Sequence, residues 1–244
     1  MSKAPLLLSA LLLLPACDKS ASPNDGAEAA DKTAAADGEA KPADGDKPDA
    51  ARAAGEDAEP PADAPVDDKW AQKLASRKLA ASGLDVGSRL SAFDIINCES
   101  GEEYCQVCKF GGSPKIMAVG TPDDEAFKKD IKDVDAIAKK YGDKNVKAFA
   151  VITELEGGKA ITPKDAKAAQ EKADALRKEL GVSIPIVIPA PSEDGTNKIW
   201  DEYYNITASR TLMFADGSNE VKFAAVGPED MSGLDKAIVG VVGG

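Results

Sequence analysis

Lys115-Ile116-Met117-Ala118-Val119-Gly120-Thr121-Pro122-Asp123-Asp124 decides the fold. Five residues of apolar strand character run directly into a helix start, with threonine at the N-cap, proline at the first helical position and acids in the first turn. Phe127, Ile131, Val134, Ile137 and Tyr141 follow as an apolar stripe at helical spacing, and Gly142 ends it. The unit then repeats. Val146–Ile152 reads as a strand, and Thr162-Pro163-Lys164-Asp165 opens a second helix. Ala169, Ala173, Leu176 and Leu180 line that helix, and Gly181 closes it.

Downstream, Ile184–Ile188 is a third short strand and Lys198–Tyr204 a short helix. Arg210–Phe214 and Glu220–Ala224 flank Asp216-Gly217-Ser218-Asn219, a hairpin signal, and Leu234–Val242 forms a closing helix. Upstream, Asp68–Ala81 reads as a helix with Trp70, Leu74 and Leu79 on one side, and Asp85–Asn97 as a turn and a strand. Alternating strands and helices followed by an antiparallel hairpin argue for an α/β sheet covered on both faces.

Four stretches together resemble the thioredoxin fold in its peroxiredoxin-like and membrane-anchored reductase-like branch. They are Val86-Gly87-Ser88 with Phe93, Ile184-Pro185-Ile186-Val187, Tyr204-Asn205-Ile206 leading to Thr211–Gly217, and Val226-Gly227 with the last helix. The resemblance implies a thioredoxin-like α/β domain over residues 69–244: a mixed central sheet, helices on both faces and an N-terminal hairpin extension. It also marks a departure. Active members carry C-x-x-C after the first core strand, where this chain has Gly120-Thr121-Pro122-Asp123-Asp124. Arg210 stands at the place of the cis-proline beside that site. Peroxidase chemistry, whose cysteine would lie at the same place, is therefore not expected.

The cysteines lie earlier, in Cys98-Glu99-Ser100-Gly101-Glu102-Glu103-Tyr104-Cys105-Gln106-Val107-Cys108-Lys109-Phe110-Gly111. Cys105–Gly111 with Pro114 resembles a group of exported bacterial thioredoxin-like proteins with C-x-x-C-[basic]-[aromatic]-G just before the first core strand. Three readings stand together. One is a structural disulfide, Cys105–Cys108 or either with Cys98, contributing a few kcal/mol at most. The second is a displaced redox pair, Cys105 and Cys108, with Cys98 as a resolving thiol and Lys109 favouring the thiolate. The third is zinc held by the three thiolates with Glu99, Glu102 or Glu103, although structural zinc sites commonly use four Cys or His ligands.

Other polar groups read as structural. Asp123, Asp124 and Glu125 are first-turn acids, Lys128-Lys129 and Lys139-Lys140 a solvated helix face, and Trp200, Tyr203 and Tyr204 core. The chain has no histidine, which removes Ser-His-Asp and Cys-His catalysis. No cofactor is called for.

Toward the N-terminus, Lys3 precedes the apolar run Leu6–Leu14, the length of a signal-peptide core and too short to span a bilayer. Leu14-Pro15-Ala16-Cys17 resembles the bacterial lipobox, which implies that Cys17 is diacylated and becomes the mature N-terminus. Two or three acyl chains, at about 0.8 kcal/mol per buried CH₂, anchor stably. Residues 18–68 hold 15 acids, 5 bases and six prolines, with Val66 the only large apolar side chain. Such a segment reads as a disordered tether. Most of the net charge of -12 lies there, so neither part has the cationic excess that nucleic acid requires. The expected setting is the cell envelope, with the domain in the periplasm, the membrane as one partner through the lipid and an envelope thiol or disulfide protein as a client.

Overall fold

The computed structural model describes residues 68–243. The expected signal peptide, the expected lipidation site Cys17 and nearly all of the expected tether lie outside the described residues. Helix α1 (Asp68–Ala75) begins at Asp68, where the sequence predicts its start. That helix stops short of Ala81, and Leu79 forms an isolated antiparallel bridge with Leu84. In the stretch expected as turn and strand, strand β1 covers only Asp94–Asn97. Then come strand β2 (Glu103–Cys105), helix α2 (Gln106–Phe110), strand β3 (Lys115–Gly120), helix α3 (Glu125–Lys140) and strand β4 (Lys147–Ile152). A small separate hairpin, β5 (Glu154–Glu156) and β6 (Lys159–Ile161), precedes helix α4 (Ala166–Leu180). Strand β7 (Ile186–Pro189), a π-helical turn (Ile199–Tyr203), strands β8 (Thr211–Ala215) and β9 (Val221–Val226) and helix α5 (Ser232–Val242) complete the chain.

Seven strands form one mixed sheet in the order β2-β1-β7-β4-β3-β8-β9. β3, β4 and β7 run parallel, while β1, β8 and β9 complete antiparallel pairs. β3 is buried along its whole length, as a central strand covered on both faces must be. On one face α3, α4 and α5 bury Phe127, Ile131, Val134, Ala173, Leu176, Leu234 and Ile238 against the even residues of β3. On the other, Trp200, Tyr203, Tyr204, Phe93, Val107 and Leu84 cover Met117 and Val119, with Trp70 and Leu74 of α1 at the margin.

Both long helices start later than the threonine-proline signal predicts. Asp124 caps α3, its Oδ1 accepting the N–H groups of Ala126 and Phe127 at 3.0 and 3.2 Å. Asp165 caps α4 through the N–H of Ala168. Thr121-Pro122 forms a turn ahead of α3, closed by the Asp124 N–H on the Thr121 carbonyl. The Thr162 hydroxyl is engaged elsewhere, donating to Asp201 Oδ1 at 2.8 Å. At the other end of α4, Gly181 adopts φ 64°, the left-handed conformation its sequence signal implies.

Asp135, 6% exposed on α3, anchors the approach to β7. Its Oδ1 accepts from the Ser183 N–H and hydroxyl and the Ile184 N–H, and Oδ2 from Lys139. Burial opposes its ionisation, yet the hydrogen bonds from Lys139, Ser183 and Ile184 outweigh it and hold the carboxyl below the usual aspartate range. The folded-state value is depressed, so the stabilisation is present above the unfolded aspartate value and is lost as pH falls through the folded one. Asp135→Asn should cost about 2 kcal/mol at neutral pH, and its gap to wild type should begin to narrow as pH drops below about 4 and go on narrowing through the lower folded-state value. Urea titrations over a pH series measure this, and a gap that stays constant down to the acid limb would refute it.

Candidate functional site

β2 pairs with β1 in the register Asp94↔Cys105, Ile95↔Tyr104 and Ile96↔Glu103, so the hairpin extension delivers Cys105 to the outer edge of the sheet. There the chain turns into the five-residue α2, for which Cys105 is the N-cap. One turn of helix brings Cys108 back over Cys105, with Cα atoms 5.2 Å apart, and the two sulfurs are bonded. Cys105 Sγ also accepts the Cys108 N–H at 3.1 Å. Cys105 is half-buried and Cys108 exposed.

α2 is held from both ends. Val107 is buried, and Phe110 meets Phe149 of β4 edge-on with centroids 5.8 Å apart. Gly111, at φ 52°, ends the helix by donating its N–H to the Cys108 carbonyl. The Gly111 carbonyl accepts from Lys115 Nζ at 2.8 Å, and the same ammonium reaches Asn219 Oδ1 in the β8–β9 turn. Lys115 is fully buried, and burial lowers its pKa despite the nearby Asp216 carboxylate. Gly217 lies so close to the Gly112 carbonyl that a Cβ there would stand 2.4 Å from its oxygen. The disulfide loop is thus fastened to the far hairpin by a lysine and a glycine that the sequence shows only as members of a strand and a turn.

Glu102, Glu103, Tyr104, Cys105, Cys108 and Lys109 line one open, shallow groove. Lys109 Nζ lies 4.1 Å from the Tyr104 ring centroid, a cation–π contact at the rim of the pair.

Cys98 is set apart from this pair. It is 2% exposed and belongs to the core beneath α3, α4 and α5, whereas Cys105 packs against the core on the opposite face. Burial, then the Asp174 carboxylate, push its thiol up to about 12 against the opposing Arg177. The expectations that Cys98 resolves a mixed disulfide or bridges to Cys105 or Cys108 are therefore corrected: the sheet lies between the sulfurs. The three-thiolate zinc set is not assembled for the same reason. Among the described residues no group of three or more Cys, Asp or Glu side chains is placed to hold a metal.

The position after β3 is built differently from a thiol site. Thr121, Pro122 and Asp123 line a cleft of about 280 Å³ together with Ile152, Thr153 and Leu155. Asp124 is occupied as a helix cap and accepts from the Ser209 hydroxyl at 2.8 Å. Arg210 sits at φ 60°, a conformation closed to proline, whose ring fixes φ near -65°. Its guanidinium grips Asp130 through two bonds, 2.7 and 3.1 Å, and the Pro228 carbonyl at 2.7 Å. From β3 to β2 the sheet order spans four strand spacings, about 19 Å. The cysteine pair is a separate site on the same sheet.

No family model matches the chain, and no curated protein does. Solved structures do. Parallel β3 and β4, antiparallel β8 and β9, and helices on both faces make this a thioredoxin-like α/β fold. A candidate protein disulfide isomerase from Bacteroides thetaiotaomicron superposes with a TM-score of 0.50 at 14% identity, over 67% of this chain and 94% of that one. A candidate thiol:disulfide interchange protein DsbE from Chlorobium tepidum gives 0.50 at 16%, over 65% and 98%. At such identities the likeness is one of fold.

Proposed function

We propose that the chain is an exported lipoprotein whose thioredoxin-like domain exchanges disulfides with envelope proteins through Cys105 and Cys108. The observation that carries this is the exposed Cys108, which lines the open groove and is bonded to a partner whose sulfur already accepts a backbone N–H. A client thiolate attacks Cys108 Sγ. The Cys105–Cys108 bond breaks, a client–Cys108 disulfide forms, and Cys105 leaves as a thiolate. Its new charge meets the Cys108 N–H, which stabilises the charged form. The client's second thiolate then attacks its own sulfur in the mixed disulfide and releases Cys108 reduced. The reverse sequence reduces a client disulfide, with Cys108 as nucleophile and Cys105 as resolver. The fold shared with proteins described as a disulfide isomerase and an interchange protein supports this class of chemistry.

The anchor is the acylated Cys17, and residues 18–67 set the domain off from the bilayer. Two results test the proposal in cells. Cys105→Ser, lacking the resolver, should accumulate Cys108-linked mixed disulfides on non-reducing gels, and Cys17→Ser should lose fatty-acid labelling and leave the membrane fraction. Absence of any trapped species would count against exchange; retention of label would count against lipidation at Cys17.

A further inference from the structure

The backbone of the cysteine hairpin has a direction that bears on its substrate. The Ala190 N–H donates to the Asp94 carbonyl and the Cys98 N–H to the Ile186 carbonyl, so alternate residues Asp94, Ile96 and Cys98 are turned toward β7. Ile95 and Asn97 are turned toward β2, and the Asn97 N–H reaches the Glu102 carbonyl at 2.9 Å. In the observed register, Tyr104 and Glu102 therefore spend their backbone groups on β1. Glu103 turns its N–H and carbonyl outward, and Cys105 its N–H, on the free side of the last strand of the sheet, while the Cys105 carbonyl, as the N-cap's, is taken up by α2.

This open edge ends at the disulfide, and β2 and both sulfurs line the same groove. The groove is acidic. Glu102 and Glu103 are exposed, and neither has an ion-pair partner among the described residues. Its one cation, Lys109, is held over the Tyr104 ring.

We propose that the substrate is an extended cysteine-bearing segment flanked by lysine or arginine, which adds to the free edge of β2. This rests on the exchange reading above. The segment's backbone bonds to both backbone groups of Glu103 and to the Cys105 N–H, its basic side chains meet Glu102 and Glu103, and its cysteine is set against Cys108 Sγ. Strand addition supplies affinity through the main chain, and the two acids supply the choice of partner. Charged edge residues also serve to repel stray strands, and in that role alone they would favour no thiol.

The test uses the oxidised full chain and four synthetic peptides. One is a cysteine flanked by lysines, one a cysteine flanked by glutamates, and the last two are the lysine peptide N-methylated on alternate amides, one in each of the two phases. Opening of the Cys105–Cys108 bridge is timed for each. Each rate is divided by the same peptide's rate with the uncharged 4,4′-dithiodipyridine, which removes differences in thiol acidity without adding a charge preference of its own.

The lysine peptide should be preferred over the glutamate peptide by about tenfold at low salt, and the preference should fall toward unity near about 0.5 M salt. It should also vanish in the double variant Glu102→Gln, Glu103→Gln, whose exposed positions leave folding intact. N-methylation in one phase should slow opening severalfold and in the other leave it unchanged. Glutathione, too small to pair along the edge, is the reference thiol. If glutathione opens the bridge and the normalised peptide rates are equal, the docking proposal is overturned while exchange stands. If neither glutathione nor any peptide opens it, the exchange reading falls as well.

Discussion

Replacing Cys108 with serine should reduce thiol–disulfide exchange to the rate of the buffer alone, while Cys98→Ser should leave it unchanged. The contrast follows from placement. Cys108 is the exposed residue of the pair, and without its sulfur no mixed disulfide forms on the attacked side. Cys98 lies at 2% exposure on the opposite side of the sheet, with its thiol held protonated by burial. The expected cost of Cys98→Ser is to stability, about 1–2 kcal/mol for a hydroxyl placed in an apolar core. Insulin reduction in dithiothreitol buffer and a urea titration on the same samples separate the two effects. A loss of exchange in Cys98→Ser equal to that in Cys108→Ser would show that the buried thiol takes part.

Trp200→Ala should cost about 4 kcal/mol, a large part of the 5–15 kcal/mol typical of a domain. Trp200 is fully buried in the π-helical turn. Its ring stacks on Phe93 at 5.2 Å and leans on Tyr204 at 5.7 Å, and its Nε1 donates to Thr153 Oγ1 at 3.3 Å. Phe93 packs in turn on Tyr204 at 5.1 Å. The residue therefore joins the approach to β1, the end of β4 and the turn before β8. Truncation opens a cavity among partners that are themselves locked, so little of it can collapse. Urea denaturation at 25 °C measures the loss, and a change below about 1 kcal/mol would mean that this cluster does not cover the sheet as described.

Much of this architecture could be read from patterns long enough to have a period. The Phe127–Tyr141 stripe repeats one physical requirement over about four turns of helix, while the glycine after α4 and the Asp216–Asn219 turn are residue types that a single backbone conformation selects. The hairpin β5–β6 escaped notice because its first strand, Glu154-Leu155-Glu156, is exposed throughout and carries no buried face, although Gly157 and Gly158 at positive φ mark its turn. β2 and α2 are three and five residues long, too short for either period to show. The helix caps shifted because threonine and aspartate both cap, and only the tertiary partner of each hydroxyl decides between them.

The cysteine pair was visible as a spacing, but its exposure was not. Cys98 offered a usable signal: it stands two residues after Ile96, and strand alternation puts such residues on one face. Ile96 packs against the α3–α5 core, and Cys98 follows it there. The departure of Arg210 from proline was plain in the sequence. Its left-handed backbone and its grip on Asp130 were not, since arginine rarely adopts positive φ.

The central claim is that the Cys105–Cys108 bridge opens and closes under envelope conditions, and its reduction potential tests this most directly. Equilibration of the full chain with glutathione buffers, read by alkylation and mass, should give a value between about -270 and -180 mV, the range of exchanging dithiols. A value below about -300 mV would place the bridge among structural disulfides and contradict the account.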